Sequence, residues 1–151
     1  MSVDARVTVT NELSVIDPFI AYDNRATSDK SDDRWVMVIK NESSPKQGGK
    51  NLRLVFSKRM QGPYDTQLGP PIVGAGTNIV DTMGEGPSLF KYNHLWHLYW
   101  DAPGSEFSYC LATSQDLVHW TNRSQEMSLP AKRMRHGTVL VVSAHVVTAV
   151  P

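Results

Sequence analysis

Three times along the chain an acidic or imidazole residue, followed by Pro or Gly, opens a short run of β-formers. The copies read Asp17-Pro18-Phe19-Ile20-Ala21-Tyr22, Glu85-Gly86-Pro87-Ser88-Leu89-Phe90 and His136-Gly137-Thr138-Val139-Leu140-Val141. An aromatic-rich strand follows the first two, Trp35-Val36-Met37-Val38-Ile39-Lys40 and Trp96-His97-Leu98-Tyr99-Trp100-Asp101. After each comes a third strand that ends in Ser and a turn, Leu52 to Ser57 and Tyr109 to Ser114. Self-similarity at a period of about sixty residues is the mark of a structural array, so it constrains the fold before any single residue is interpreted. If each repeat is one sheet, the opening residues Asp17, Glu85 and His136 come to a common centre as equivalent first-strand residues.

Composition narrows the classes of partner. The chain has 151 residues, the size of one ordinary domain, and 40% hydrophobic with 20% charged is a globular balance. Lys plus Arg and Asp plus Glu are 15 each, which leaves no net field to gather nucleic acid or an anionic membrane. An uncharged ligand suits such a surface better. The single cysteine, Cys110, rules out an internal disulfide and lies in an apolar run, so it is expected in the core. The N-terminus lacks a basic stretch followed by a continuous apolar one, so no secretory signal is visible, and no apolar run is long enough to cross a bilayer. Two sequons, at Asn41 and Asn122, are common by chance and would matter only in a secretory pathway.

β signals dominate the rest. Strands are expected near Arg6 to Thr10, Ile16 to Tyr22, Trp35 to Lys40, Leu52 to Ser57, Ser88 to Lys91, Leu95 to Trp100, Ser108 to Thr113 and Thr138 to Val142. Tyr92-Asn93-His94 reads as a tight reversal, and Asp23 to Arg34 as a longer polar loop in solvent. Gly and Pro clusters at Gly48-Gly49, Gly62-Pro63, Gly69-Pro70-Pro71 and Gly74-Ala75-Gly76 break any intervening helix, and none is expected. Four-stranded antiparallel sheets repeated about an axis are the blades of a β-propeller, and a closed ring needs four to eight of them. Here about two blades are complete and a third begins at His136. The expected fold is therefore all-β, a partial propeller forming a single domain over residues 1–151 that is truncated at both ends.

Several constellations carry less. Asp29 to Asp33 lacks the glycine and distal glutamate of a calcium loop, and Gly74-Ala75-Gly76 does not continue as a phosphate or dinucleotide fingerprint. Lys132 to His136 is a small basic cluster with no excess charge behind it, which argues against nucleic-acid binding. Trp35, Trp96, Trp100 and Trp120 read as blade packing, with room for one near the axis to stack on a ligand. His94 and His97 read as surface residues.

Taken in order, Ile16-Asp17-Pro18-Phe19, Glu85-Gly86-Pro87, Leu95 to Trp100, Thr113-Ser114-x-Asp116-Leu117-x-His119-Trp120 and Arg135-His136-Gly137-Thr138-Val139 resemble glycoside hydrolase family 43. The resemblance runs from about Val15 to Val142. It implies a five-bladed propeller with its active site at the axial end, cleaving arabinosides or xylosides of plant cell walls by an inverting acid/base mechanism. Glu85 matches the family's general acid, and Asp17 the carboxylate that raises the acid's pKa and holds it. His136 matches a histidine near the axis that in some members meets a central metal or its water shell, and Arg135 beside it is placed to meet sugar hydroxyls. No cofactor is required, with room left for a structural calcium ion on the axis. The implied partner is an oligo- or polysaccharide, neither nucleic acid nor membrane, and the full-length family member is expected outside the cell.

These residue types suit the chemistry. A glycosidic acid must stay protonated near neutral pH, and a second carboxylate nearby disfavours its ionisation. One departure stands out: an inverting enzyme also needs a carboxylate base on the opposite face of the sugar. The family's base lies in a blade upstream of Asp17, where this chain has only sixteen residues and where Asp4 lacks the context. A glycosidase impaired by that lack, or a non-catalytic carbohydrate-binding remnant, are the two expectations.

Overall fold

A computed structural model describes residues 14–25, 27–44, 49–65, 67–80, 82–103, 109–129 and 135–139. The chain is all-β, built as two antiparallel sheets. The first joins β1 (Val15–Asp23), β2 (Arg34–Asn41) and β3 (Asn51–Ser57) in that order. In the second, β4 (Glu85–Tyr92), β5 (Leu95–Asp101), β6 (Tyr109–Ser114) and the two-residue β7 (Thr121–Asn122) follow one another. Helical structure among the described residues is limited to single 3₁₀ turns at Lys30–Asp32 and Ser124–Glu126.

Side chains alternate across a pleated strand, and β2 is apolar at nearly every position from Val36 to Ile39, so this sheet must be covered on both faces. Val36 and Val38 point to one face with Leu52 and Leu54, where they meet Leu89, Trp96, Leu98, Trp100 and Ala112 of the second sheet. Met37, Ile39 and Val55 point the other way, with Tyr64. Cys110 and three of the tryptophans, Trp96, Trp100 and Trp120, are buried in the sheet–sheet core, while Trp35 is half-buried on the other face.

Turn chemistry matches its sequence. Asn93 and His94, at φ 48° and 62°, make the two-residue link from β4 to β5, the left-handed pair that an antiparallel hairpin's twist favours. His94 is exposed as expected, but His97 is half-buried, its ring stacked 4.9 Å from Phe90. Each third strand closes on a serine whose hydroxyl accepts backbone N–H groups of the turn, Ser57 from Arg59 and Ser114 from Asp116 and Leu117.

Two expectations are corrected. Among the described residues the first sheet has three strands, not four. Where a fourth would lie, an irregular segment hydrogen-bonds to β3 through Asp65, Gly69, Ile72 and Val73 only, because Pro63, Pro70 and Pro71 have no N–H to give a ladder. At the third repeat, Thr138 and Val139 are not in a strand, and the rest of that expected strand lies outside the described residues, as does the one near Arg6 to Thr10.

Leu98 is fully buried at the centre of the sheet–sheet core, whereas Val118 is 70% exposed. Leu98→Ala should therefore cost about 2–5 kcal/mol in urea unfolding, against less than about 0.5 kcal/mol for Val118→Ala.

Candidate functional site

The repeats superpose through a shared irregularity. β1 pairs Ile16 with Lys40 and then Phe19 with Val38, and β4 pairs Glu85 with Asp101 and then Ser88 with Tyr99. Each first strand thus holds one extra residue at the same point, a β-bulge. Its left-handed residue is Asp17 in β1, at φ 52°, and Gly86 in β4, at φ 50°. His136, at φ 50°, repeats the conformation in the third copy. Asp17 is therefore the counterpart of Gly86 and His136, and Glu85 that of Ile16 and Arg135. The expected equivalence of Asp17 and Glu85 is off by one residue, because the prolines Pro18 and Pro87, not the first acidic residues, mark the register.

Glu85 nevertheless sits where three repeats meet. β1 and β2 both pack on β4, so the openings of the first two repeats are neighbours. Lys40, in phase with Val36 and Val38, points from the end of β2 into the sheet junction, and its Nζ donates to Glu85 Oε1 at 2.7 Å. Arg135 arrives from the third repeat and donates from Nη2 to Glu85 Oε2, also at 2.7 Å. The same guanidinium donates from Nε to Asp101 Oδ2 at 3.0 Å, and Asp101 Oδ1 accepts the backbone N–H of His136 at 2.9 Å.

Lys40 and Asp101 hold the same place in their repeats, each pairing with the residue just before the bulge of its first strand, Lys40 with Ile16 and Asp101 with Glu85. Each reaches the opening of the next repeat, with charges reversed: Lys40 to Glu85, then Asp101 to Arg135. The series extends the other way through Glu42, which pairs with Lys40 at 2.7 Å and with Lys50 at 2.6 Å. Lys40 and Asp101 are almost fully buried (side chains 4% and 1% exposed), Glu85 is 16% exposed, and Arg135 lies open at 54%. The far end of the junction is tied likewise, by Asp23 of β1 to Lys91 of β4 at 3.1 Å and to Arg34 at 3.2 Å.

The electrostatics follow from this order. The hydrogen bond from Lys40 holds the Glu85 carboxyl below its ordinary value, outweighing the opposite push of burial, and the charges of Lys40, Arg135 and Lys50 add to it. Burial works against the charged Lys40, but hydrogen bonds to Glu42 and Glu85 prevail and raise its pKa. Asp17 is half-buried in the bulge, and among the described residues no side-chain hydrogen bond or ion pair reaches its carboxylate. The shift of Glu85 is thus downward and set by Lys40, not the raising by Asp17 that was expected.

His136 and Gly86 are in close contact: a methyl group added to Gly86 would lie 2.5 Å from His136 Nδ1. His136 Nε2 stands 3.5 Å from Asp101 Oδ2. Among the described residues no group of three or more His, Cys, Asp or Glu is arranged to hold a metal ion.

Sequence reasoning found Asp17, Glu85, Arg135 and His136 but passed over Lys40, Asp101 and Glu42. The repeat contained the clue, since a charged residue follows the aromatic and aliphatic run of the second strand at the same place in both copies, Lys40 after Ile39 and Asp101 after Trp100. No protein-family model matches the chain, and no curated protein does.

Two outcomes follow. Glu85 and Glu42 are both held below the ordinary glutamate value of 4.5, so they stabilise the fold fully above it, and that stability is lost as pH falls through their folded values. Urea midpoints should be flat from about pH 6 to 8 and fall below about pH 4.5, and Lys40→Met should flatten the acid limb. Gly86→Ala should cost about 1–3 kcal/mol, and more than Gly76→Ala, where φ is also positive but the space is open.

Proposed function

We propose that the two sheets are consecutive blades of a partial β-propeller, and that the end where their openings meet is the sugar site of a glycoside hydrolase acting on arabinosides or xylosides of plant cell walls. One observation carries this reading: Glu85 is a partly buried carboxyl at the meeting point of three repeats, bound from the repeat before it and the repeat after it. The shared bulge supports it too, because a bulge re-aims side chains at the end of a sheet. Glu85 is the acid that protonates the glycosidic oxygen, and Asp17, on the neighbouring first strand, is the carboxylate that would oppose its ionisation once a sugar fills the space between. Arg135 and His136 bind sugar hydroxyls. An inverting step also needs a carboxylate that activates water. No cofactor is needed.

A second reading rests on the ion pairs themselves. A carboxylate fixed by Lys40 and Arg135 accepts hydrogen bonds from sugar hydroxyls without giving up a proton, which suits a carbohydrate-binding protein that does not turn over its ligand.

Hydrolysis of aryl arabinosides and xylosides by the full-length protein separates the two. Glu85→Gln should lower kcat by about 10²–10⁴-fold with xylo- or arabino-oligosaccharide binding retained. An unchanged rate removes the acid role, and binding without turnover by the parent protein selects the second reading.

A further inference from the structure

Lys40 is a buried ammonium with two carboxylate partners, next in phase after the buried Val36 and Val38. A lone ion pair in such a place would fail as soon as its acid took up a proton, because a charged lysine would be left without a partner in a poor solvent. Here Glu42 holds the same Nζ at 2.7 Å from the other side, and Lys50 at 2.6 Å keeps Glu42 itself ionised. The ammonium therefore has a second anchor that does not depend on Glu85.

We infer that Lys40 is the positioning residue for Glu85, and that Glu42 is its reserve counter-ion, which keeps Lys40 in place and charged when Glu85 becomes the neutral acid. The inference deepens the glycosidase reading and rests on it for the role of Glu85; the electrostatic link between the three residues does not. Lys40 touches no reacting atom. It acts through Glu85, fixing Oε1 at the sheet junction so that Oε2 is the oxygen presented beside the exposed Arg135.

Every charged group near Glu85 bears on this. Lys40 and Glu42 come from β2 and the residue after it, and Lys50 precedes β3. Asp101 is the β5 residue opposite Glu85, Arg135 and His136 belong to the third repeat, and Asp17 lies on β1. Only Lys40 and Arg135 hydrogen-bond to the Glu85 carboxylate among the described residues, and Lys40 alone does so from a buried position. The low position of the Glu85 titration agrees with that order, since the Lys40 bond is its largest cause.

The test is carboxyl-carbon NMR titration of the full-length protein, with the Glu85 resonance assigned by its loss in Glu85→Gln. Lys40→Met should move the Glu85 midpoint up by about one pH unit or more, and Lys40→Arg should restore it toward the parent value. Glu42→Gln, which leaves the ammonium to Glu85 alone, should move the midpoint further down; this variant decides the matter if Lys40→Met does not fold. A Glu85 midpoint that stays put in Lys40→Met, or in Glu42→Gln, overturns the inference. If the parent hydrolyses aryl glycosides, the alkaline limb of kcat/KM should shift upward in Lys40→Met by the same amount. If it hydrolyses none, the glycosidase reading fails while the titrations still report on Lys40.

Discussion

The structure turns on a charged contact made inside an apolar junction. Burying the β2 valines against Trp96, Leu98 and Trp100 brings Lys40, in phase with them near the end of that strand, into the same interface. An ammonium there needs an anion, and the first residue of the next sheet supplies it. The contact ties the opening residue of the second sheet to the first sheet. Arg135 meets the same carboxylate from the third repeat.

The next junction repeats the rule with the signs exchanged. Asp101 is the counterpart in β5 of Lys40 in β2, but its side chain is on the face turned away from the first sheet, where Arg135 and the His136 backbone meet it. Alternating polarity gives consecutive repeats a way to recognise one another in order, because a lysine in place of Asp101 would face an arginine. The stabilising part of each contact is modest beside the hydrophobic burial around it. Its larger effect is specificity of docking.

Much of the fold was legible in the sequence because β-propensity, turn residues and a sixty-residue repeat agreed with one another. The hairpin at Asn93-His94, the serine-closed third strands and the buried Cys110 all follow from local rules. Where proline removed ladder donors, at Pro63, Pro70 and Pro71, the expected fourth strand of the first sheet was lost, and those prolines were there to be weighed. The site was half legible. Chemistry-bearing types at repeat openings pointed to Asp17, Glu85, Arg135 and His136, yet the one-residue offset between Asp17 and Glu85 needed strand pairing to be seen. Lys40 and Asp101 were hidden because a charge at the end of an apolar strand reads as a solvent boundary until a neighbouring sheet covers it.

The most direct measurement is a double-mutant cycle between Lys40→Met and Glu85→Gln in urea unfolding at neutral pH. The account predicts a coupling energy of about 1–3 kcal/mol, since two residues in one buried ion pair cannot be removed independently. Strictly additive effects of the two substitutions would contradict it, and with it the claim that this contact ties the second sheet to the first.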